Sequence, residues 1–178
     1  MQPIGPLMHE HRLIERMVAL ITKQAEAIQR GVEPDTEFIG GAVEFFRVYA
    51  DRCHHGKEEE LLFKELSSKN LSPELSEIMS ELIQEHKQGR IMVGSLNKAN
   101  QNHVMQGADH GEVVRLLTEL ASFYPKHIEK EDKHFFFPVM EYFTREEMDR
   151  MLKEFEEFDQ QMIHSLFRQK VESWEVAS

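Results

Sequence analysis

Long apolar stripes at helical spacing, each bounded by residues that start or stop helices, commit this chain to an all-α fold. No convincing period-2 run and no Asn-Gly or Asp-Gly hairpin dipeptide occurs in its 178 residues. A first helix is predicted from about Pro6 to Arg30, where Gly31 stops it. Asp35 is the N-cap expected for a second, reaching about Ser67. Ser72 followed by Pro73 opens a third, running to about Asn100 before a loop over 101–108. Asp109-His110-Gly111-Glu112 has capping-box spacing and opens a fourth, ending near Pro138. Thr144-Arg145-Glu146-Glu147 repeats that spacing and opens a fifth. Short connections between long helices predict an up-down-up-down four-helix bundle with an additional C-terminal helix. The reading is of one domain over 1–178, with the bundle core at about 7–141 and the C-terminal helix at about 145–172.

Charge excludes some functions. Twenty-one Lys and Arg stand against 32 Asp and Glu, and a net charge of −11 without any basic run predicts no nucleic-acid partner. A single cysteine, Cys53, allows no intramolecular disulfide. Met1 to Glu10 carries neither the basic start nor the apolar stretch of a signal peptide, and no window has the ~18 apolar residues of a membrane span. A cytoplasmic protein without a membrane partner is expected.

Two segments repeat one chemical pattern, His54-x-x-x-Glu58 and His127-x-x-x-Glu131. Residues at i and i+4 share a helix face, so each pair can reach one metal cluster, the imidazole as a terminal ligand and the carboxylate as a bridge. Helical spacing decides which histidines point inward. His54 lines up with Val43, Phe46, Ala50, Leu61 and Leu62, whereas His55 lines up with Glu44, Arg47, Asp51 and Glu59. His54 and Glu58 are therefore expected inside, and His55 and Glu59 near solvent. His11 aligns with Leu7, Ile14, Val18 and Ile21; His86 with Leu75, Met79, Leu82, Val93 and Leu96; His127 with Leu116, Leu120 and Phe123. Each of four helices thus supplies one inward histidine. Two buried glutamates would repel each other unless a cation lay between them. Mixed imidazole and carboxylate ligands suit iron, manganese or zinc.

The succession Glu10-His11-Arg12, His54-x-x-x-Glu58, Glu85-His86 and His127-x-x-x-Glu131 resembles the hemerythrin-like family, also called the HHE cation-binding domain. The resemblance implies two Fe ions joined by an oxo or hydroxo bridge. Glu58 and Glu131 would be the bridging carboxylates and His11, His54, His86 and His127 the terminal ligands. It implies a protein that binds or senses O2, NO or peroxide, so a small diatomic or peroxide ligand is the expected partner. The alternative is an enzyme that reduces NO or peroxide, or one that donates iron for repair of iron-sulfur clusters. Oxygen-carrying members place a second histidine one turn after the third-helix histidine, where this chain has Arg90. Arg90 either closes the site with a cation or pairs with surface acids.

Other residues have plainer expectations. Cys53 reads as a core or boundary residue ahead of a redox sensor, and His134 as an outer partner of the site or a surface histidine. His103, His110 and His164 read as residues of polar stretches with no special role, and Tyr49 and Tyr124 as core packing ahead of donors to the bridge or a bound ligand. Phe155, Phe158, Met162 and Leu166 form an apolar stripe that either covers the bundle or makes a homodimer contact.

Overall fold

The computed structural model describes residues 2–106, 110–159 and 161–177, and every regular element among them is helical. The helices are α1 (Ile4–Gln29), α2 (36–66), α3 (Pro73–Gln106), α4 (110–140), α5 (Arg145–Phe158) and α6 (Gln161–Ala177). Among the described residues no helix is long and apolar enough to cross a membrane.

The capping residues act as the sequence requires. Asp35 accepts a hydrogen bond from the Phe38 backbone N–H at 2.9 Å, Ser72 Oγ accepts from that of Leu75 at 3.2 Å, and Thr144 and Glu147 form a reciprocal capping box. Gly31, with φ of +91°, ends α1. Pro125 is accommodated within α4 without ending it. The predicted cap Asp109 lies outside the described residues. Two predicted boundaries are corrected. The third helix does not stop at Asn100 but continues to Gln106. The single helix expected over 145–172 is two, because Asp159 adopts an extended conformation (ψ 107°) that closes α5.

Two of the long helices are not α-helical throughout. Within α2 the turns Phe46–His55 and Glu58–Leu62 are π-helical, and within α4 so is Glu131–Phe135. A π-turn closes i→i+5 hydrogen bonds and so advances fewer degrees per residue than the roughly 100° of an α-helix. Both His-x-x-x-Glu segments lie at or beside such turns.

Apolar side chains gather in two clusters with a polar layer between them. One includes Ile14 and Ile21 of α1, Ile39 and Phe46 of α2, Leu96 of α3 and Leu120 of α4. The other includes Leu7 of α1, Phe63 of α2, Leu82 of α3 and Phe135 of α4. Phe155 of α5 joins the second cluster, and Phe167 and Val171 of α6 join the first. The C-terminal stripe thus covers the bundle through Phe155. Leu166 is exposed, and the Met162 and His164 side chains lie outside the described residues.

Glycine permits the close approach of these outer helices. A Cβ on Gly56 would meet the Phe158 ring at 2.8 Å, and one on Gly41 would overlap the ring of Trp174, the chain's single tryptophan. Gly41→Val is expected to cost about 1–3 kcal/mol by overpacking. It should also alter Trp174 emission, both read in one urea titration; an unchanged midpoint would show that α6 yields freely.

Candidate metal centre

Between the two apolar clusters lie ionisable side chains that burial alone would disfavour. His11, His54, His55, His86, His127, Glu58 and Glu131 are each no more than 2% exposed. Four elements meet there: α1 brings His11, α2 brings His54, His55 and Glu58, α3 brings His86, and α4 brings His127 and Glu131. All six residues predicted for the site are therefore brought together.

His55 is the correction. Expected near solvent, it is buried, and its ring stacks on that of His86 at 3.9 Å and lies 5.5 Å from that of His127. The π-helical turn Phe46–His55 is the reason: its smaller rotation per residue lets two consecutive histidines face inward together. Glu59 stays half-buried at the periphery, closer to its predicted place.

The donor atoms form two groups, His55 with His86 and His127, and His11 with His54, Glu58 and Glu131, each within 4.8 Å of one another and suited to a metal ion. Each glutamate spans both. Glu58 turns one oxygen toward His54 Nε2 at 3.4 Å and the other toward His86 Nε2 at 3.3 Å. Glu131 turns one toward His11 Nε2 at 3.1 Å and the other toward His127 Nε2 at 3.3 Å. These contacts are not aligned as hydrogen bonds, so Nε2 of His11, His54, His86 and His127 and all four glutamate oxygens are buried without a partner. Buried donor atoms left without hydrogen bonds in two such groups are what bound cations would satisfy.

The outward nitrogens are all occupied. Nδ1 of His11 bonds Asp132 at 2.8 Å, that of His54 bonds Glu10 at 2.8 Å, that of His86 bonds Glu59 at 2.7 Å and that of His127 bonds Glu85 at 2.8 Å. His55 Nδ1 bonds Asp51 more loosely, at 3.4 Å. A carboxylate on Nδ1 fixes the tautomer and the ring, leaving Nε2 free for a metal. These acids form a cycle. Glu10 of α1 serves α2, Glu59 of α2 serves α3, Glu85 of α3 serves α4, and Asp132 of α4 serves α1.

A cation backs each of the four. Lys57, fully buried, reaches Glu10 and also Asp159; Arg12 reaches Asp132; Lys130 reaches Glu85 at 2.5 Å; Arg90 reaches Glu59 at 2.7 Å. Arg90 also donates to Asp51 at 2.7 Å, so it ties together the acids behind His86 and His55. Of its two expected roles, pairing with acids is the one observed, and those acids belong to the site. Sequence reading gave no supporting role to Glu10, Arg12, Asp51, Lys57, Glu59, Glu85, Lys130 or Asp132. Their signal was adjacency to the inward residues, but their partners are mostly on other helices.

Burial and charge set the protonation of the metal-free site. Burial, with Glu131 alongside, raises Glu58 well above the ordinary carboxyl range. Burial also opposes ionisation of Glu131, but His127, His11 and His86 outweigh it and hold that carboxylate charged. Desolvation lowers His54 to about 4 and His55 well below its usual value. His11 is raised to about 9 because Asp132 and Glu131 overcome its desolvation. Burial raises Glu10, Glu59 and Glu85 less than their histidine and cation partners lower them.

A cavity of about 280 Å³ reaches His55, lined also by Phe46, Asp51, Arg90, Val93 and Tyr124. Tyr124 stacks on Phe46 at 4.7 Å and Tyr49 on Phe45 at 5.1 Å, so both pack in the core as expected. His134 is exposed. Cys53 is buried, donates to Asp159 at 3.2 Å, and burial pushes its thiol up to about 12, which makes it a poor nucleophile.

A family model described as the hemerythrin HHE cation binding domain matches residues 2–136. No curated protein and no solved structure matches the chain.

Proposed function

Because the chain belongs to the hemerythrin HHE cation-binding family, we propose that it is a non-haem di-iron protein that binds or senses O2, NO or peroxide. The observation that carries this reading is the pair of buried glutamates, each with one oxygen toward either histidine group. In this reading His55, His86 and His127 would hold one iron, His11 and His54 the other, and Glu58 and Glu131 would serve both. The histidine that Arg90 displaces from α3 is replaced from α2, so the imidazole count of the oxygen-carrying members is kept. Iron supplies, when bound, the coordination and redox chemistry that such small ligands require.

The chain's own residues do the rest. Acids on Nδ1 orient the imidazoles and keep them basic, and the cations behind the acids keep those charged. The apolar clusters above and below exclude bulk water, while the cavity at His55 gives a small ligand room to approach. We read the long helices as up-down-up-down. Along α1 and α3 the Leu7–Phe135 cluster precedes the Ile14–Leu120 cluster, and along α2 and α4 the order is reversed.

Aerobic purification after iron-replete expression should yield two irons per chain. Near-ultraviolet charge-transfer bands should change on adding O2, NO or peroxide to the reduced protein. A chain that takes up no iron, or takes up manganese or zinc in preference to it, refutes the reading. Catalytic consumption of NO or peroxide would move it to the enzyme class.

A further inference from the structure

A second group of metal-ligating side chains lies well away from the main centre. Glu33 precedes α2, His103 is in the last turn of α3 and His110 is at the start of α4. One carboxylate oxygen of Glu33 lies 3.3 Å from His110 Nε2 and 4.0 Å from His103 Nε2. The two imidazoles meet edge to face, with centroids 4.9 Å apart. One ligand atom from each residue falls within 4.8 Å of the other two. His103 is separated from His86, and His110 from His127, by about 25 Å of helix at 1.5 Å per residue, so this group shares no ligand with the main centre.

Ion pairing lends the arrangement little stability. The Glu33 side chain is 82% exposed, and a carboxylate so hydrated gains little from a neighbouring imidazole. Two nitrogens directed at one oxygen instead match three ligands around a common point. Two imidazoles and one carboxylate suit a borderline divalent cation of the zinc type. Calcium and magnesium prefer an all-oxygen shell. We propose that Glu33, His103 and His110 form a second, mononuclear site for such a cation, with water completing its coordination.

The test is a calorimetric titration of the untagged chain, as purified, with Zn2+, beside His110→Ala and Glu33→Gln. Both residues are exposed or half-exposed and neither belongs to the main centre, so the variants should fold and keep the metal content of the parent. The parent should show one class of zinc site that each variant weakens at least tenfold. Zinc should also raise the melting temperature of the parent more than that of the variants, because a cation that binds only the native state stabilises it. A parent without that class of site, or variants that bind zinc as tightly as the parent, overturns the proposal. The comparison reads the difference between chains at this site, so it stands whatever metal fills the main centre.

Discussion

Glu131→Ala should leave the chain with less than a tenth of its bound metal. Glu131 approaches His11 with one oxygen and His127 and His86 with the other, the last at 3.6 Å, so its removal takes a ligand from both ions of the proposed centre. Metal analysis of the purified variant decides this, and full occupancy would remove Glu131 from the ligand set. Glu58→Gln gives the companion result, with stability and metal binding moving in opposite directions. In the metal-free chain the Glu58 carboxyl binds its proton more tightly when folded than when unfolded. Its contribution is therefore most favourable below the unfolded value and declines as pH rises through and above that value. Each tenfold weakening of its acidity corresponds to about 1.4 kcal/mol by neutral pH. Glutamine has no proton to lose, so metal-free Glu58→Gln should outlast the metal-free parent in urea at pH 7 but not at pH 4, while failing to take up metal. Equal urea midpoints at pH 7 would show that the buried carboxyl carries no such cost.

His55→Ala is expected to weaken metal binding by more than the roughly 10–100-fold that loss of an outer support costs. The imidazole lies against His86 and His127, on the side of the centre that Arg90 leaves one histidine short. Arg90→Ala should fall within the smaller range, since Arg90 holds Asp51 and Glu59 and offers no ligand atom itself. Competition against a chelator of known affinity separates the two cases. If His55→Ala competes as well as the parent, the inward placement of that ring has no bearing on the metal.

Much of the fold was legible because it rests on local chemistry. Asp35, Ser72, Gly31 and Thr144 do in the structure what their side chains or backbone freedom dictate at a helix end. The stripes through His11, His54, His86 and His127 followed from ordinary α-helical rotation, and those residues do converge. His55 was misplaced because the same rotation was assumed across Phe46–His55, where the helix widens, and no residue there announces a π-turn. The break at Asp159 was hidden for a similar reason: no glycine or proline marks it, and the apolar residues Phe155 and Phe158 suggest an uninterrupted helix. The acids behind the histidines were visible as neighbours of inward residues. Their assignment was not, since a side chain's partner on another helix cannot be read from the periodicity of its own.

The closed ring of acids has a consequence for how this sequence can change. Glu10 and Glu85 each precede a histidine in the chain, yet each supports the histidine of the following helix. Glu59 supports His86 and Asp132 supports His11 in the same way. Covariation among relatives should therefore link position 10 with 54, 59 with 86, 85 with 127 and 132 with 11, and not adjacent positions with each other. A lineage that lost one histidine would be released from constraint on an acid in another helix, and the cation behind that acid would be the next to drift.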